Sequence, residues 1–202
     1  MSPRWLSAPP SIATARSGAD TEAHKVTGDP TTPRPLTVAI LTASDLGVRG
    51  ERADTSGDAI ESWCRARGYE VVARTIVPDE TAAIVPALLD CADRLDADVI
   101  LTTGGTGFTA RDVTPEATLA VLDGEAPGLA EALRARGALK TPYSNLSRGV
   151  AGFRGGTVIV NFPGSTGGVR DGLEVLDPVL EHTVELSRGT SVSHAPRTPA
   201  SP

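Results

Sequence analysis

The chain has 202 residues, of which 40% are hydrophobic, 22% are charged and only 3% are aromatic. Such a composition is ordinary for a soluble protein with an aliphatic core, and it excludes disorder of the whole chain. The formal net charge of -6 argues against a nucleic-acid partner, because nucleic acids select basic surfaces and aromatic stacking platforms. We therefore expect one globular domain that binds a small molecule, without room for a second catalytic domain.

The two cysteines, Cys64 and Cys91, lack the closely spaced partners of a zinc site and are too few for a secreted disulfide framework. No apolar run approaches the roughly 20 residues that span a bilayer, and the N-terminus lacks the apolar core of a signal peptide. A reducing cytoplasm without a membrane partner is the expected location. The acid-poor start, which carries Arg, Ser and Ala, leaves a transit peptide as the alternative.

Predicted elements alternate along the chain between two tails. Residues 1–35 are rich in Pro, Thr, Ser and Gly without an apolar period, which predicts disorder. Then follow a strand at 36–43, a helix at 55–68, a strand at 69–77, a helix at 80–95, a strand at 97–103, helices at 114–122 and 127–137, a strand at 157–162 and a helix at 168–187. Residues 188–202 resemble the first tail. The alternation predicts an α/β domain at 36–187, a three-layer αβα sandwich with a mostly parallel sheet.

Polar or Gly-rich residues follow every predicted strand. In an open parallel sheet the carboxyl ends of the strands share one edge, and ligands bind there. Helix-start signals lie at the same junctions: Asp54 or Thr55, Asp79, Thr114, and Ser165 or Thr166. Because helix N-termini offer unpaired N–H groups and a partial positive charge, this edge suits a phosphate-bearing ligand.

The loop after the third strand reads Gly104, Gly105, Thr106, Gly107. Glycine permits positive φ and a close approach of backbone N–H groups to an anion, whereas the alternative is a tight turn that merely needs glycine. The sequence completes neither the P-loop motif nor GxGxxG, so a P-loop ATPase and a dinucleotide dehydrogenase are both disfavoured.

Carboxylates at an anion-binding edge repel phosphate unless a divalent cation lies between them, as Mg²⁺ does. The candidate ligands are Asp45, Asp54, Asp79 and Asp112. Helix capping is the alternative for Asp54 and Asp79, and a local turn bond or salt bridge is the alternative for Asp112. Four arginines could pair with phosphates, although such residues are more often solvated surface charges: Arg49, Arg52, Arg148 and Arg170.

The run "TTGGTGFTARDVTPEAT" at 102–118 resembles the signature of the MogA/MoaB family of molybdenum cofactor biosynthesis proteins. The stretches "VPDE", "PGLAEALR", "LSRGVAG" and "VNFPGSTGG" support the resemblance, which covers about residues 36–187. It implies the MogA/MoaB-like molybdopterin-binding fold. For MogA-type members it further implies the use of Mg²⁺ and ATP to adenylylate molybdopterin, with release of pyrophosphate.

The resemblance also implies roles for particular residues. Asp79 and Asp112 match family acids that matter for the transfer, so we expect them to be catalytic and to bind Mg²⁺. The expected substrate-binding residues are Ser44, Asp45, Gly104, Gly105, Thr106, Gly107, Asn161, Pro163, Gly164, Ser165, Gly167 and Gly168. Leu46 stands where many relatives carry Arg, which removes one phosphate contact.

Two other functions stay open besides the adenylyltransferase. One is a MoaB-like molybdopterin-binding or scaffold protein without transfer activity, and the other is a CinA-like nucleotide hydrolase. Retention of both Asp79 and Asp112 favours transfer. The resemblance finally implies a homotrimer, with a MoaB-like hexamer as the alternative, and handover of the product to a molybdate-inserting MoeA-type protein.

Overall fold

The computed structural model describes residues 34–189. The predicted tails, 1–35 and 188–202, lie outside the described residues except for two residues of each, so their disorder and the domain bounds stay predictions. No helix between residues 34 and 189 is long and apolar enough to cross a membrane.

The described part of the chain forms one sheet with helices on both sides. The strands are β1 (Thr37–Ala43), β2 (Glu70–Val77), β3 (Val99–Thr103), β4 (Gly124–Glu125), β5 (Ala151–Arg154) and β6 (Thr157–Phe162). The helices are α1 (Asp45–Val48), α2 (Thr55–Arg67), α3 (Thr81–Leu89), α4 (Thr114–Leu119), α5 (Pro127–Ala138), α6 (Thr166–Leu176) and α7 (Leu180–Ser187). A π-helical turn (Asp90–Arg94) continues α3, and a 3₁₀ turn (Pro142–Leu146) follows α5.

The six strands lie in the order β2-β1-β3-β6-β5-β4. Strands β2, β1, β3 and β6 are parallel, whereas β5 is antiparallel to both β6 and β4. The register pairs Thr42 of β1 with Thr103 of β3, and Thr103 with Phe162 of β6. The carboxyl ends of these strands are therefore level, and the segments that follow them meet at one edge.

Both faces of the central strands β1, β3 and β6 are buried, which explains their continuous apolar runs. Along β1, Val38 and Ile40 pack in a core with residues of α2, α5, α6 and α7. The intervening Ala39 and Leu41 pack on the other face with residues of α3 and α4. This arrangement confirms the predicted three-layer α/β fold with a mostly parallel sheet.

The prediction of one helix at 168–187 is wrong, because α6 begins at Thr166 and ends at Leu176, and α7 begins at Leu180. Pro178 lies between them; its ring clashes with a preceding helical turn, and it has no N–H to donate. The structure also adds elements that the apolar pattern does not reveal, namely α1, β4 and β5.

Candidate functional site

The segments after β1, β2, β3 and β6 contact one another at the carboxyl edge of the sheet. The Ser44 N–H donates to the Val77 carbonyl at 2.9 Å, which joins the ends of β1 and β2. The Thr103 hydroxyl donates to the Pro163 carbonyl at 2.9 Å, which joins the ends of β3 and β6. The site that the strand junctions predict is thus a single continuous edge.

Two adjoining cavities open at this edge. One has a volume of about 550 Å³ and is lined mainly by polar residues from the segments after β1, β2 and β3; we call it the polar pocket. The other has a volume of about 480 Å³ and lies among α5, the 3₁₀ turn and α6; we call it the apolar pocket. The glycine loop, residues 104–107, contributes to both linings.

The predicted substrate-binding residues divide between these cavities. The polar pocket takes Ser44, Asp45, Gly104, Gly105 and Gly164, together with both predicted catalytic acids, Asp79 and Asp112. The apolar pocket takes Asn161, Pro163, Gly167 and Gly168. The shared wall is formed by Thr106, Gly107 and Ser165. The structure therefore brings the whole predicted set to one edge, while ligand contact by each residue stays a prediction.

The glycine loop needs glycine for two physical reasons. Gly104 has φ +92° and Gly105 has φ +61°, a backbone region that residues other than glycine rarely adopt. A Cβ on Gly104 would collide with the Ala43 carbonyl, and one on Gly105 would collide with the Thr114 hydroxyl. The loop is a tight turn that needs glycine, and its bare backbone also faces a pocket. The interpretation as a tight turn and the interpretation as an anion-binding loop are therefore compatible.

Asp45 and Asp79 bind each other's backbone across the polar pocket. The Asp45 N–H donates to Asp79 Oδ2 at 2.9 Å, and the Asp79 N–H donates to Asp45 Oδ1 at 3.1 Å. Burial raises the pKa of Asp79 and the nearby charges of Asp45 and Asp112 also raise it, which outweighs the bond from the Asp45 N–H. The first turn of α3 begins after Glu80, without a side-chain cap, so the capping alternative for Asp79 is wrong.

Arg111 neutralises one of these acids. Its guanidinium donates to both carboxylate oxygens of Asp45, at 2.7 and 3.0 Å, and this hydrogen bonding lowers the pKa of Asp45. Arg111 also reaches Glu80 at 3.4 Å. The alternative of a salt bridge between Arg111 and Asp112 is therefore wrong, because Arg111 pairs with Asp45 instead.

The Asp112 side chain accepts a hydrogen bond from the backbone of the loop that precedes it. Its Oδ2 accepts from the Thr109 N–H at 2.7 Å. Burial raises the pKa of Asp112, but hydrogen bonds from Thr109, the nearby backbone of Gly107 and the charge of Arg148 lower it more, so this pKa lies below its ordinary value. The turn bond expected as the alternative is present, and the carboxylate also lines the polar pocket.

Asp54 and Ser165 are N-caps, as their positions predict. Asp54 accepts from the Gly57 N–H at 2.8 Å, and Ser165 accepts from the Gly168 N–H at 3.1 Å. The prediction of a cap at Thr114 is wrong, because α4 already includes Thr114 and its N-cap is Val113. The buried Thr114 hydroxyl has no hydrogen-bond partner among the described residues.

Asn161 already satisfies its own side chain. The buried amide donates to the hydroxyls of Thr102 and Thr118 at 2.9 and 3.0 Å, and its oxygen accepts from the Val150 N–H at 3.2 Å. Asn161 therefore joins β6 to β3, α4 and the approach to β5. Both amide hydrogens are therefore used, and a direct role in ligand binding falls to the second lone pair of the side-chain oxygen.

Sequence reasoning missed the ionic groups of the apolar pocket. Asp171 of α6 is only 6% exposed, lines the pocket and accepts from the Lys140 ammonium. Asp171 lies one turn after Gly168 and directly before Gly172, two residues without side chains that leave the cavity open. An acid at helical spacing from one glycine, Gly168, and adjacent to a second, Gly172, is the signal that could have found it.

The acids of the polar pocket supply some of the ligands that Mg²⁺ requires. Among residues 34–189 no group of three or more acid, His or Cys side chains is placed to hold a metal ion. Mg²⁺, however, is usually held by one or two carboxylates, with substrate phosphates and waters completing the octahedron. Asp79 and Asp112 fit that donor set, and the unpartnered Thr114 hydroxyl lies beside Gly105, close to Asp79.

An open, mostly parallel α/β sheet with paired pockets at its carboxyl edge defines a ligand-binding α/β protein. Residues 39–182 match the family model described as "probable molybdopterin binding domain", and the chain belongs to that family.

Curated relatives carry related names. The "Molybdopterin adenylyltransferase" of Helicobacter pylori (strain J99) is 35% identical over 159 residues, which span 75% of this chain and 88% of that protein. The "Molybdenum cofactor synthesis protein cinnamon" of Drosophila melanogaster is 39% identical over 166 residues, but the match spans 82% of this chain and only 28% of the longer protein. The chain therefore corresponds to a part of that relative and to most of the bacterial one.

Solved structures agree with the fold. The molybdopterin biosynthesis enzyme MoaB from Thermus thermophilus is 52% identical, with a TM-score of 0.72, and covers 76% of this chain and 97% of its own. The Mog protein from Mycobacterium ulcerans is 43% identical, with the same TM-score of 0.72, and covers 78% of this chain and 99% of its own. The predicted MogA/MoaB-like fold is confirmed.

Proposed function

We propose that this chain is a molybdopterin adenylyltransferase of molybdenum cofactor biosynthesis, which uses ATP to form adenylyl-molybdopterin and pyrophosphate. The observation that carries the proposal is the pair of adjoining pockets at the sheet edge, which share Thr106, Gly107 and Ser165. Transfer between two substrates requires both to be held side by side. The relatives named molybdopterin adenylyltransferase support the same activity.

We assign the polar pocket to the triphosphate of ATP. The backbone of Gly104 and Gly105 approaches this cavity without side chains, and the cavity is lined by Arg49, Arg52 and Arg111. Asp79 and Asp112 are the residues that would hold Mg²⁺. The cation would supply positive charge against the phosphates, whose repulsion by two carboxylates otherwise opposes binding.

We assign the apolar pocket to the ring system of molybdopterin. Its walls include Ala130, Leu133 and Phe162, which suit a flat heterocycle, whereas Asp171 and Lys140 offer ionic partners at one side. The phosphate of molybdopterin would then point towards the shared wall. This placement puts the attacking oxygen next to the triphosphate.

The chemical step needs no nucleophile from the chain. A phosphate oxygen of molybdopterin bonds to the α-phosphorus of ATP, the bond from that phosphorus to the bridging oxygen breaks, and pyrophosphate leaves. Terminal phosphates are already ionised near neutral pH, so no proton has to be removed first. The residues of the two pockets act by binding, orienting and neutralising charge.

The two alternative functions are less well supported. A scaffold protein has no need for two acids in a phosphate-sized polar pocket, yet Asp79 and Asp112 are both present there. The CinA protein from Thermoplasma acidophilum is only 16% identical, and so it supports the shared fold alone. We further propose a cytoplasmic location and handover of the product to a molybdate-inserting MoeA-type protein.

The test is to incubate the purified chain with molybdopterin, ATP and Mg²⁺ while pyrophosphate is followed, with mass spectrometry to detect adenylyl-molybdopterin. We expect pyrophosphate only when molybdopterin is present, and its loss when EDTA removes the metal. Molybdopterin binding without pyrophosphate would instead support the scaffold protein. Breakdown of the nucleotide without molybdopterin would support the hydrolase.

A further inference from the structure

Arg148 holds the segment that carries Asp112. This segment, residues 107–112, is called the acid loop below. The Arg148 Nε donates to the Gly107 carbonyl at 2.6 Å, and its Nη2 donates to the Asp112 carbonyl. Its backbone N–H donates to the Thr106 carbonyl at 2.9 Å. Arg148 therefore donates hydrogen bonds to the first and last residues of the acid loop and to Thr106 of the glycine loop.

Arg148 is itself fixed from two sides. Its Nη1 forms an ion pair with Glu116 of α4, so the rigid helix orients the guanidinium. Its Cζ lies 6.0 Å from the centroid of the Phe108 ring, within range of a cation–π interaction. Because Phe108 belongs to the acid loop and Glu116 to α4, Arg148 connects the loop to the helix that follows it.

Besides Arg148, the acid loop is held by bonds within itself and by Arg111, which pairs with Asp45 and Glu80. Phe108, Thr109 and Arg111 are exposed, and Phe108 is 71% exposed, so apolar packing does not fix the loop. The Asp112 carboxylate accepts from the Thr109 N–H inside the loop, while Arg148 donates to the Gly107 and Asp112 carbonyls from outside. Hydrogen bonds to charged groups are stronger than neutral ones, so the bonds from the Arg148 guanidinium contribute to the loop's conformation.

We propose that Arg148 is a positioning residue that aims the Asp112 carboxylate at the divalent cation; this rests on the proposed function. Arg148 lines neither of the two substrate pockets. It lines a smaller cavity of about 330 Å³ instead. Its guanidinium nitrogens are directed to the acid loop and Glu116, so the interpretation of Arg148 as a phosphate partner is replaced by an indirect role.

The test compares Arg148→Lys with Arg154→Lys. Arg154 is a matched control, because it also joins a carbonyl, that of Val121 at 3.0 Å, to a carboxylate, that of Asp93 at 2.8 Å. Their side-chain exposures are similar, 31% for Arg148 and 28% for Arg154. Lysine keeps the charge in both variants, but its single nitrogen cannot reach the separate acceptors that the three guanidinium nitrogens contact.

Hydrogen exchange of the free protein reads the loop directly. We expect Arg148→Lys to speed amide exchange in residues 104–113, while Arg154→Lys leaves that segment as in the wild type. Unchanged exchange in Arg148→Lys would overturn the inference, whatever the protein's activity proves to be.

The second readout is the Mg²⁺ concentration that gives half the maximal rate of pyrophosphate release. We expect it to rise about 10- to 100-fold in Arg148→Lys, the usual effect of removing a partner that orients a metal ligand, and to stay constant in Arg154→Lys. A wild type that is inactive with molybdopterin and ATP would overturn the proposed function. If the wild type is active and Arg148→Lys needs the same Mg²⁺ concentration for half its maximal rate, only the role of Arg148 is overturned.

Discussion

At the residue scale, Asp112 and Asp79 are the acids on which the proposed transfer depends. We expect Asp112→Asn to keep the fold but to lower the rate about 100-fold or more, because it removes a carboxylate charge that would hold Mg²⁺ against the reacting phosphates. Asp79→Asn should behave in the same way, since Asp79 does not cap α3. Steady-state rates and thermal unfolding of both variants provide the check. A well-folded variant with the wild-type rate would remove that residue from the metal site.

A second prediction concerns Asp98, which lies just before β3 at the opposite edge of the sheet. Its side chain is 1% exposed and accepts from Arg34 at 2.7 and 2.8 Å, from the Thr37 N–H at 2.8 Å, and faces Arg188 Nε at 2.6 Å. Burial raises the pKa of Asp98, but the bonds from Arg34 and Thr37 and the charge of Arg188 lower it more. The net pKa is below its ordinary value.

We therefore expect Asp98→Asn to lower the free energy of unfolding by about 3 kcal/mol at pH 7, as breaking a buried ion pair does. Because the folded pKa is depressed, this contribution is complete above the unfolded value of about 4 and disappears as the pH falls through the folded pKa. Urea unfolding between pH 3 and 7 should show the two curves converging below pH 4. A difference that stays constant down to pH 3 would show that the Asp98 charge is not the cause.

Single residues differ in how far the sequence predicts them. Asp45, Asp79 and Asp112 lie in the segments that follow β1, β2 and β3, and the rule that parallel strands end at one edge places them together. Asp171, Lys140 and the indirect role of Arg148 depend on contacts between segments distant in the chain. Local patterns carry no information on such contacts, so these roles became visible only in the folded chain.

At the element scale, the buried strands were the most predictable part of the fold. The apolar runs of β1, β3 and β6 exist because helices cover both faces of the sheet. By contrast, β4 has two residues and α1 has four, which is too short for a period to be read. Strand β5 alternates little and contains Gly152, so its pairing with β6 is set by the sheet.

The glycine loop supports a prediction at this scale. We expect Gly104→Ala to cost more than about 2 kcal/mol, because it adds a collision with the Ala43 carbonyl to the roughly 1 kcal/mol of strain at positive φ. Gly155→Ala is the control: Gly155 has φ +52°, but its Cβ would meet no atom within 4 Å.

Urea unfolding and the rate of pyrophosphate release distinguish the two glycine variants. Gly104→Ala should also lose activity, since relief of the collision moves the end of β1 or the glycine loop, and both line the polar pocket. Gly155→Ala should lose only about 1 kcal/mol and keep its rate. Equal losses in both variants would show that conformational strain, and not close backbone contact, explains the glycine at 104.

At the scale of the whole molecule, the sheet edge gives the two pockets different chemistry. The segments after β1 and β2 deliver acids and arginines to the polar pocket, while α5 and α6 deliver small and apolar residues to the other. The parallel sheet predicted a site at this edge. That the site consists of two cavities depends on where α5 and the 3₁₀ turn pack against α6, and the sequence pattern does not specify that packing.

The last prediction is that the protein is a homotrimer in solution. Large apolar side chains outside the two pockets remain exposed on the single chain: Leu139, directly after α5, is 77% exposed, and Leu186 of α7 is 52% exposed. Contacts between copies would bury such residues, and closed rotational symmetry is the usual outcome for soluble oligomers. Both pockets must stay open to solvent in the assembly, because molybdopterin and ATP have to enter.

Light scattering at several protein concentrations measures the assembly directly. We expect three times the chain mass of 20.8 kDa, independent of dilution over the range in which the enzyme is active. A mass near that of one chain at every concentration rejects the trimer, and the exposed apolar residues would then be surface features of a monomer. Six times the chain mass would favour the hexamer, in which two such trimers associate through a second surface.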